Sequence, residues 1–375
     1  MKTGTQRKIC IILGPPDDRR CFDLFNWLRV EHPEWRFAIT AAKLSFIERQ
    51  LYPGVGLFPS KSAEAILLLV KADPATSYVY LPFFEDDIKD LLQYRSAWPT
   101  NFKALLPDIE KFALATNKLL FTDYFQNRNL VAKSYTREML EASFPEGGVV
   151  SKPALGRGAI GMKFITSTEA LEGIFSGDVI QEKLGDGHSV TGAFFFCVDG
   201  EVKVHYQHRR LRTYPSTGGV SVYAAIENIP QIARKGAEIL KDLQWNGLAM
   251  LEFLPHPQSG EYLAIECNTR LWGSCLLGEF AGYAPVEAYI LHCLGESIPV
   301  KKLRPNARIN WYFPYQILYV LGNPFSRLGK LFPEKDTSYI SATRAGMYRS
   351  LLYILYNVFN RHKWEILWKK ITKSR

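Results

Sequence analysis

The sequence predicts an α/β protein of two folded units followed by a basic, aromatic helical tail. Three observations carry this. Strand-type and helix-type segments alternate through residues 1–107; from 108 to 300 short apolar strands are joined by glycine-bearing turns; from 301 onward tryptophan, tyrosine, lysine and arginine dominate. Alternation of strands and helices is the pattern of a parallel sheet, whereas closely spaced hairpin signals belong to antiparallel ones.

Lys8 to Leu13 (KICIIL) reads as a buried strand, GPPDD as a turn and Arg20 to Val30 as a helix. Arg36 to Ala41 is the next strand; after a Gly/Pro-rich loop come a helix (SAEAILLLVKA), a strand (Ser77 to Phe84) and a helix (Glu85 to Arg95). Gly14 has no GxGxxG around it, which argues against a dinucleotide site there. In the second unit, IEKFALATNKLLFTDYFQNRN reads as helix, Leu130 to Lys133 as a short strand, and Thr136 as the cap of the helix TREMLEASF. VVSKP, ALGRGAIG and MKFI form a strand, a glycine-rich loop and a strand. Such a loop can lay backbone N–H groups on phosphates because glycine has no Cβ to block the approach, or it can be an ordinary hairpin turn. VIQEKL leads into another glycine-bearing loop, TGAFFFCV and EVKVHY are strands joined by a DG turn, and Arg209, Arg210 and Arg212 follow beside a Gly-Gly pair. These arginines could grip an anion or form a solvated basic loop. PQIARKGAEILKDL and PVEAYILHCLG read as helices.

The chemistry concentrates between Gly247 and Ser274. LAMLEFL and YLAIECN are strands, and HPQSG between them is turn chemistry. Folding the segment about Ser259 sets Glu252 opposite Glu266, and strand alternation points Glu266 and Asn268 the same way. Two carboxylates and an amide oxygen then converge, with Arg270 two residues on. Like charges so close repel, and hard oxygen ligands of this kind suit Mg²⁺. A solvated face with two surface glutamates is the alternative.

The chain has 375 residues, 47% hydrophobic and 22% charged, with a net charge of +9. The positive balance favours anionic partners without choosing among them. No helix-turn-helix, RNP or zinc pattern supports nucleic-acid binding. The six cysteines are scattered without a CxxC pair, as expected of reduced thiols in a cytoplasmic protein, and neither a secretory leader nor an apolar run of membrane-spanning length is read.

Taken together, Asn117-Lys118, SKPALGRGAIG (151–161), VIQEKLGDG (179–187), GLAMLEF (247–253) and IECNTRLWGS (265–274) resemble the ATP-grasp superfamily. The resemblance is to its carboxylate–amine ligases, related to carbamoyl-phosphate synthetase, biotin carboxylase and D-alanine–D-alanine ligase. It implies a Rossmann-like pre-ATP-grasp domain (1–107), an ATP-grasp domain (108–300; small subdomain about 108–185, large about 186–300) and an extension (301–375). It also implies roles. Lys118 and Lys152 resemble the phosphate-contacting lysines, and the loop with Gly156, Gly158 and Gly161 the flap over the phosphates. Gln181, Glu182, Lys183 and Leu184 resemble the adenine hinge. Asp186 or His188 takes the place of the ribose-binding acid. Glu252, Glu266 and Asn268 resemble the ligands of Mg²⁺ (or Mn²⁺), and Arg210 and Arg270 the groups that stabilise an acyl-phosphate. The implied reaction is ATP-dependent joining of a carboxylate to an amine. The HRRLRTYP–GG stretch resembles D-aspartate ligase-like members, pointing to an amino acid or a cell-envelope precursor as a substrate. A non-catalytic nucleotide sensor and a small-molecule kinase are the alternatives, and a homodimer is compatible with either.

The tail can be drawn as a helix over Met347–Lys373 with Leu351, Leu355, Val358, Trp364, Leu367 and Ile371 on one face and basic residues at its far end. That face could pack on the protein's own core or another subunit, or lie on an anionic membrane surface.

Overall fold

We describe the chain from a computed structural model, over residues 8–156, 161–173, 177–185, 187, 189–214, 220–311, 316–331, 337–338 and 344–360. The N-terminal unit is a five-stranded sheet, β1 (Lys8–Leu13), β2 (Arg36–Thr40), β3 (Gly56–Phe58), β4 (Thr76–Tyr80) and β5 (Phe102–Lys103). All its pairings are parallel, in the order β3-β2-β1-β4-β5. The crossovers contain α1 (Arg19–Glu31), α2 (Phe46–Leu51), α3 (Ala63–Ala72) and α4 (Glu85–Gln93). Three of these start as their sequences dictate: Asp18, Ser45 and Ser62 side chains each accept from a first-turn N–H, Ser45 in a full capping box with Glu48. The strand expected to run to Phe84 stops at Tyr80, because Pro82 has no N–H to continue the ladder.

The second unit opens with a correction. The stretch read as one helix is two, α5 (Ile109–Thr116) and α6 (Lys118–Phe125), because the Asn117 side chain accepts from the N–H groups of Leu119 and Leu120 and starts the second. Leu130 to Lys133 forms no strand; Val131 makes only an isolated bridge to Ala264. After α7 (Arg137–Ala142), capped by Thr136, comes a three-stranded antiparallel sheet, β7-β6-β8: β6 (Val149–Pro153), β7 (Lys163–Ile165) and β8 (Asp178–Glu182). A seven-stranded sheet follows. It contains β9 (Thr191–Val198), β10 (Glu201–Tyr214), β11 (Val220–Glu227), β12 (Gly247–Pro255), β13 (Tyr262–Asn268), β14 (Arg308–Asn310) and β15 (Thr337–Ser338), in the order β13-β12-β9-β10-β11-β14-β15. The second correction lies in β10. Arg209, Arg210 and Arg212 sit on this strand, paired with β11, and not in a loop.

Helix α8 (Pro230–Asp242) covers one face of the large sheet; Gly236 brings it so near that an added Cβ would stand 2.3 Å from the Phe195 ring. Helices α9 (Cys275–Ala281) and α10 (Pro285–Leu294) join the other face to the N-terminal unit. One continuous apolar core therefore runs from Ile11, Phe22 and Phe83 to Phe194, Phe196 and Trp272. The Leu271 N–H donates to the Pro82 carbonyl at 2.7 Å, which sets the segment after β4 beside the loop that follows β13. The short helices α11 (Ile317–Leu321) and α12 (Pro324–Arg327) precede α13 (Met347–Phe359), the last helix among the described residues. All six cysteines are free thiols. Among the described residues no helix is long and apolar enough to cross a membrane.

Candidate active site

The site is built on the β12–β13 hairpin. Glu252 stands opposite Glu266 and Met250 opposite Asn268, as the sequence predicts, but the hairpin reaches this register through a bulge. Phe253 pairs with Ala264, so Ile265 has no partner on β12. A bulge bends its strand and re-aims the side chains beyond it. Here it also releases the Ile265 carbonyl, which accepts from Lys152 Nζ at 2.9 Å. The bulge thus couples the hairpin that bears the carboxylates to the strand that bears the lysine.

The two carboxylates are held apart by cations. Arg210 Nη2 lies 2.6 Å from Glu252 Oε1, and Lys118 Nζ lies 3.6 Å from Glu266 Oε2. Burial pushes the Glu252 carboxyl up, Arg210 opposes this, and the neighbouring Glu266 pushes it further up. Asn268 donates through Nδ2 to Glu266 Oε1 at 3.1 Å and accepts through Oδ1 from Arg270 Nη2 at 3.2 Å. Arg210 and Glu252 thus form one ion pair and Glu266, Asn268 and Arg270 one hydrogen-bonded chain, set opposite each other by the Glu252–Glu266 register, each side chain half-buried or buried. Arg210 Nε is buried and has no partner among the described residues. His208, on the same strand, is buried and held down to about 3 by that burial and by Arg210, so it adds no second positive charge at neutral pH.

The small sheet supplies Lys152 and the glycines, and α6 supplies Lys118. Lys118 opens α6; its N–H donates to the Ala154 carbonyl at 2.8 Å and its Nζ to the Gly156 carbonyl at 2.8 Å. Burial brings Lys152 down to about 8, Glu266 opposes the fall, and Lys118 adds to it. Gly156 has φ +137°, and Gly161, with φ +81°, sits where a Cβ would be 2.9 Å from Pro153 Cγ. Both positions require glycine. Gly158 lies outside the described residues, as do Asp186 and His188.

The expected hinge follows β8. Gln181 is buried with its amide donating to Thr122 Oγ1 at 2.7 Å, so its side chain braces α6, and its backbone lies between β6 and the Ser134 bridge. Glu182 accepts from the Lys133 N–H at 2.8 Å and lies 3.4 Å from His256 Nε2. Lys183 is exposed and Leu184 half-buried. Gly185 then donates to the Pro255 carbonyl at 2.9 Å, tying the hinge to the end of the hairpin.

Of the three clustered arginines only Arg210 joins the site. Arg209 points to the other face, 3.1 Å from Glu227, and Arg212 is buried over the Tyr223 ring with Gln316 as a hydrogen-bond acceptor. Sequence reasoning missed Arg20 and Glu85. Arg20 is buried, ion-paired to Asp18 at 2.5 Å, and donates to the carbonyls of Phe83 and Leu271, the latter 251 residues away. Glu85 lies 3.6 Å from Arg270 Nε. Both tie the N-terminal unit to the loop after β13, and neither has a local sequence signal.

A divalent ion fits this donor set. Glu252, Glu266 and Asn268 offer only oxygens, the hard ligands Mg²⁺ prefers, and their surplus negative charge is met here by Arg210 and Lys118. Among the described residues no group of three His, Cys, Asp or Glu side chains is gathered, so an ion would depend on the Asn268 amide and on oxygens from its ligand.

The chain matches no protein-family model and no curated protein sequence. Solved structures do resemble it. It is similar to a biotin carboxylase–β,γ-ATP complex from Campylobacter jejuni, with TM-score 0.62 and 15% identity, covering 80% of this chain and 74% of that one. It is likewise similar to the ADP complex of N5-carboxyaminoimidazole synthetase from Staphylococcus aureus, with TM-score 0.62, 14% identity and coverage of 86% and 87%. N5-carboxyaminoimidazole ribonucleotide synthetase from Thermotoga maritima matches with TM-score 0.55 and 16% identity over 79% and 78%. The fold is the ATP-grasp fold of these structures, as the sequence resemblance implies.

Proposed function

We propose that the chain is an ATP-dependent ligase that converts a carboxylate to an acyl-phosphate and joins it to an amine, releasing ADP and phosphate. The observation that carries this is the convergence of Lys118, Lys152, Arg210 and Arg270 on the Glu252–Glu266–Asn268 face. Four cations around three oxygen ligands make a site for a polyphosphate and its metal ion. The similar structures from Campylobacter jejuni and Staphylococcus aureus are described as complexes with an ATP analogue and with ADP.

In this reading Lys118 and Lys152 bind phosphate oxygens, and the Gly156–Gly161 loop covers them. The backbone of residues 181–184 faces the adenine, with Asp186 or His188 toward the ribose. Glu252, Glu266 and Asn268 would hold Mg²⁺, which when bound supplies charge neutralisation on the phosphates. Phosphoryl transfer asks a protein mainly for positioning and charge compensation. A substrate carboxylate oxygen attacks the γ-phosphorus and the bond to the β-bridging oxygen breaks, leaving ADP. Arg210, with its unpartnered Nε, and Arg270 stabilise the acyl-phosphate. An amine then adds to its carbonyl carbon, phosphate leaves with the bonding pair, and the amine gives up a proton. An amino acid or a cell-envelope precursor is the substrate class favoured by the HRRLRTYP–GG resemblance.

The test is a release assay. Purified protein with MgATP is offered a panel of amino acids and other carboxylates, singly and paired with amines, and ADP and phosphate are followed. Release that requires one acid and one amine together supports ligation. Transfer that leaves a stable phosphorylated product without phosphate release makes the protein a kinase, and clear ATP binding without any release returns it to a sensor.

A further inference from the structure

The terminal helix shows its apolar face to the outside. The inward face of α13 holds the helix on the N-terminal unit: the Tyr353 ring stacks on Phe22 with centroids 4.1 Å apart, Tyr356 donates to Glu48 at 2.7 Å, and Arg349 donates to the Leu51 carbonyl. Just before it, Arg344 pairs with Glu31 at 2.5 Å and lies over the Trp27 ring. The opposite face, spaced three and four residues apart, consists of Tyr348 (67% exposed), Leu351 (56%), Leu355 (43%) and Val358 (37%), with Phe359 (80%) beside it. This overturns the expectation that Leu351, Leu355 and Val358 turn to the core if the helix packs. The helix does pack, by Tyr353, Tyr356 and Arg349. The neighbouring α2 adds an exposed Phe46 (78%).

We propose that this face is an interfacial attachment to an anionic lipid bilayer. Charge selects that occupant. Arg344 and Arg349 are engaged by the protein, but the sequence that follows the helix, 361–375, holds six lysines and arginines against a single acid, Glu365, and no acid lies between Arg344 and Asn360. The helix expected to run to Lys373 ends at Phe359, with Asn360 in an extended conformation; residues 361–375 lie outside the described ones, and their sequence adds Trp364, Leu367 and Ile371 among Lys363, Lys369 and Lys370. Apolar and aromatic residues on one side with lysines and arginines around them are what a helix lying in the headgroup region requires. A twofold dimer through the same face would bring two such basic tails together with no acidic counterpart, at a cost in repulsion. No described helix is long enough to span the bilayer, so attachment here is along the surface.

The experiment is co-sedimentation of the full chain with phosphatidylcholine vesicles with and without phosphatidylglycerol, in low and in near-physiological salt. The wild type should sediment with the anionic vesicles only. Leu351→Glu/Leu355→Glu should lower the partition about tenfold or more, since it replaces apolar contacts by charges repelled from the surface. Both positions are exposed, so melting temperature and nucleotide binding should not move. Leu351→Ser/Leu355→Ser, which adds no charge, should lower the partition less but measurably. Four results would overturn the proposal: no sedimentation of the wild type, equal binding to neutral vesicles that persists in the variants, binding that salt abolishes and the leucine substitutions leave intact, or a concentration-dependent dimer that the same substitutions dissolve. None of these bears on the ligase reading.

Discussion

Replacing Lys152 by methionine separates what the lysine does for the fold from what it does for a nucleotide. Methionine keeps the length and apolar stem and removes the charge. Two effects on stability oppose each other. Holding an ammonium where its pKa falls from 10.5 to about 8 costs the folded state at most about 3 kcal/mol at neutral pH, at ~1.4 kcal/mol per tenfold. The side chain is only partly buried, so the real cost is smaller. Against this, the Ile265 carbonyl loses its donor at 2.9 Å, worth about 1–3 kcal/mol when a buried acceptor is left unsatisfied. Lys152→Met should therefore change stability by no more than about 1–2 kcal/mol. The pH dependence carries a sign. Between about 8 and 10.5 the unfolded chain binds the lysine proton and the folded protein does not, so this group makes stability rise with pH through that window. The variant should lack that increment, visible as the wild-type-minus-variant difference in urea unfolding at neutral pH and above the window. Nucleotide binding should behave otherwise. Loss of one charge-assisted contact of about 1.5–3 kcal/mol weakens MgADP binding by roughly 10- to 150-fold. Isothermal titration calorimetry on the folded variant reads this directly. Unchanged affinity would refute the phosphate role of Lys152, and a stability loss well above 3 kcal/mol would refute the balance of terms.

Further outcomes follow from the same geometry. Glu266→Gln should keep the fold, judged by its melting temperature, yet abolish substrate-dependent ADP release; full turnover would remove Glu266 from the metal-binding set. Arg210→Ala leaves the half-buried Glu252 without its 2.6 Å partner, so it should destabilise by about 1–3 kcal/mol, with part of the loss recovered in Arg210→Ala/Glu252→Gln; a double variant no better than the single would contradict the pairing. MgADP binding near pH 8.5 should take up protons, because phosphate favours the charged form of Lys152; calorimetry in buffers of different ionisation enthalpy measures this, and proton release would contradict it. Gly236→Ala places a methyl 2.3 Å from the Phe195 ring and should cost about 1–3 kcal/mol in chemical denaturation; unaltered stability would show that α8 can lift from the sheet.

The parts of this site legible in the sequence are those fixed by local rules. HPQSG between two apolar runs specifies a hairpin, and period-two alternation then sets Glu252, Glu266 and Asn268 on one side. The bulge at Ile265 has no glycine or turn signal in YLAIECN, and the contact its carbonyl makes is to a lysine on another strand. Asn117 carries its own local signal: an asparagine before an apolar helical run is a cap, and here it splits one helix into two. Arg209, Arg210 and Arg212 read equally as a solvated loop because a Gly-Gly pair follows them, yet they lie on β10, paired with β11. The roles of Arg20 and Glu85, and the inversion of the α13 face, depend on contacts between segments hundreds of residues apart, which no periodicity reports. In the N-terminal sheet β1, β2 and β4 are legible as short apolar runs between helices, whereas β3 lies within the stretch read as a Gly/Pro-rich loop and β5 is two residues long, too short to leave a pattern.

The measurement closest to the central claim follows an oxygen atom. The acid identified in the release assay is supplied with heavy oxygen in its carboxylate, together with MgATP and the amine, and the phosphate released is examined by mass spectrometry. Attack of that carboxylate on the γ-phosphorus, followed by displacement of phosphate from the acyl group, transfers one labelled oxygen to each phosphate formed. Label in the phosphate, lost in Glu266→Gln together with turnover, is the expected result. Phosphate that forms without label would mean that water or another group meets the γ-phosphorus, and the acyl-phosphate account would be wrong.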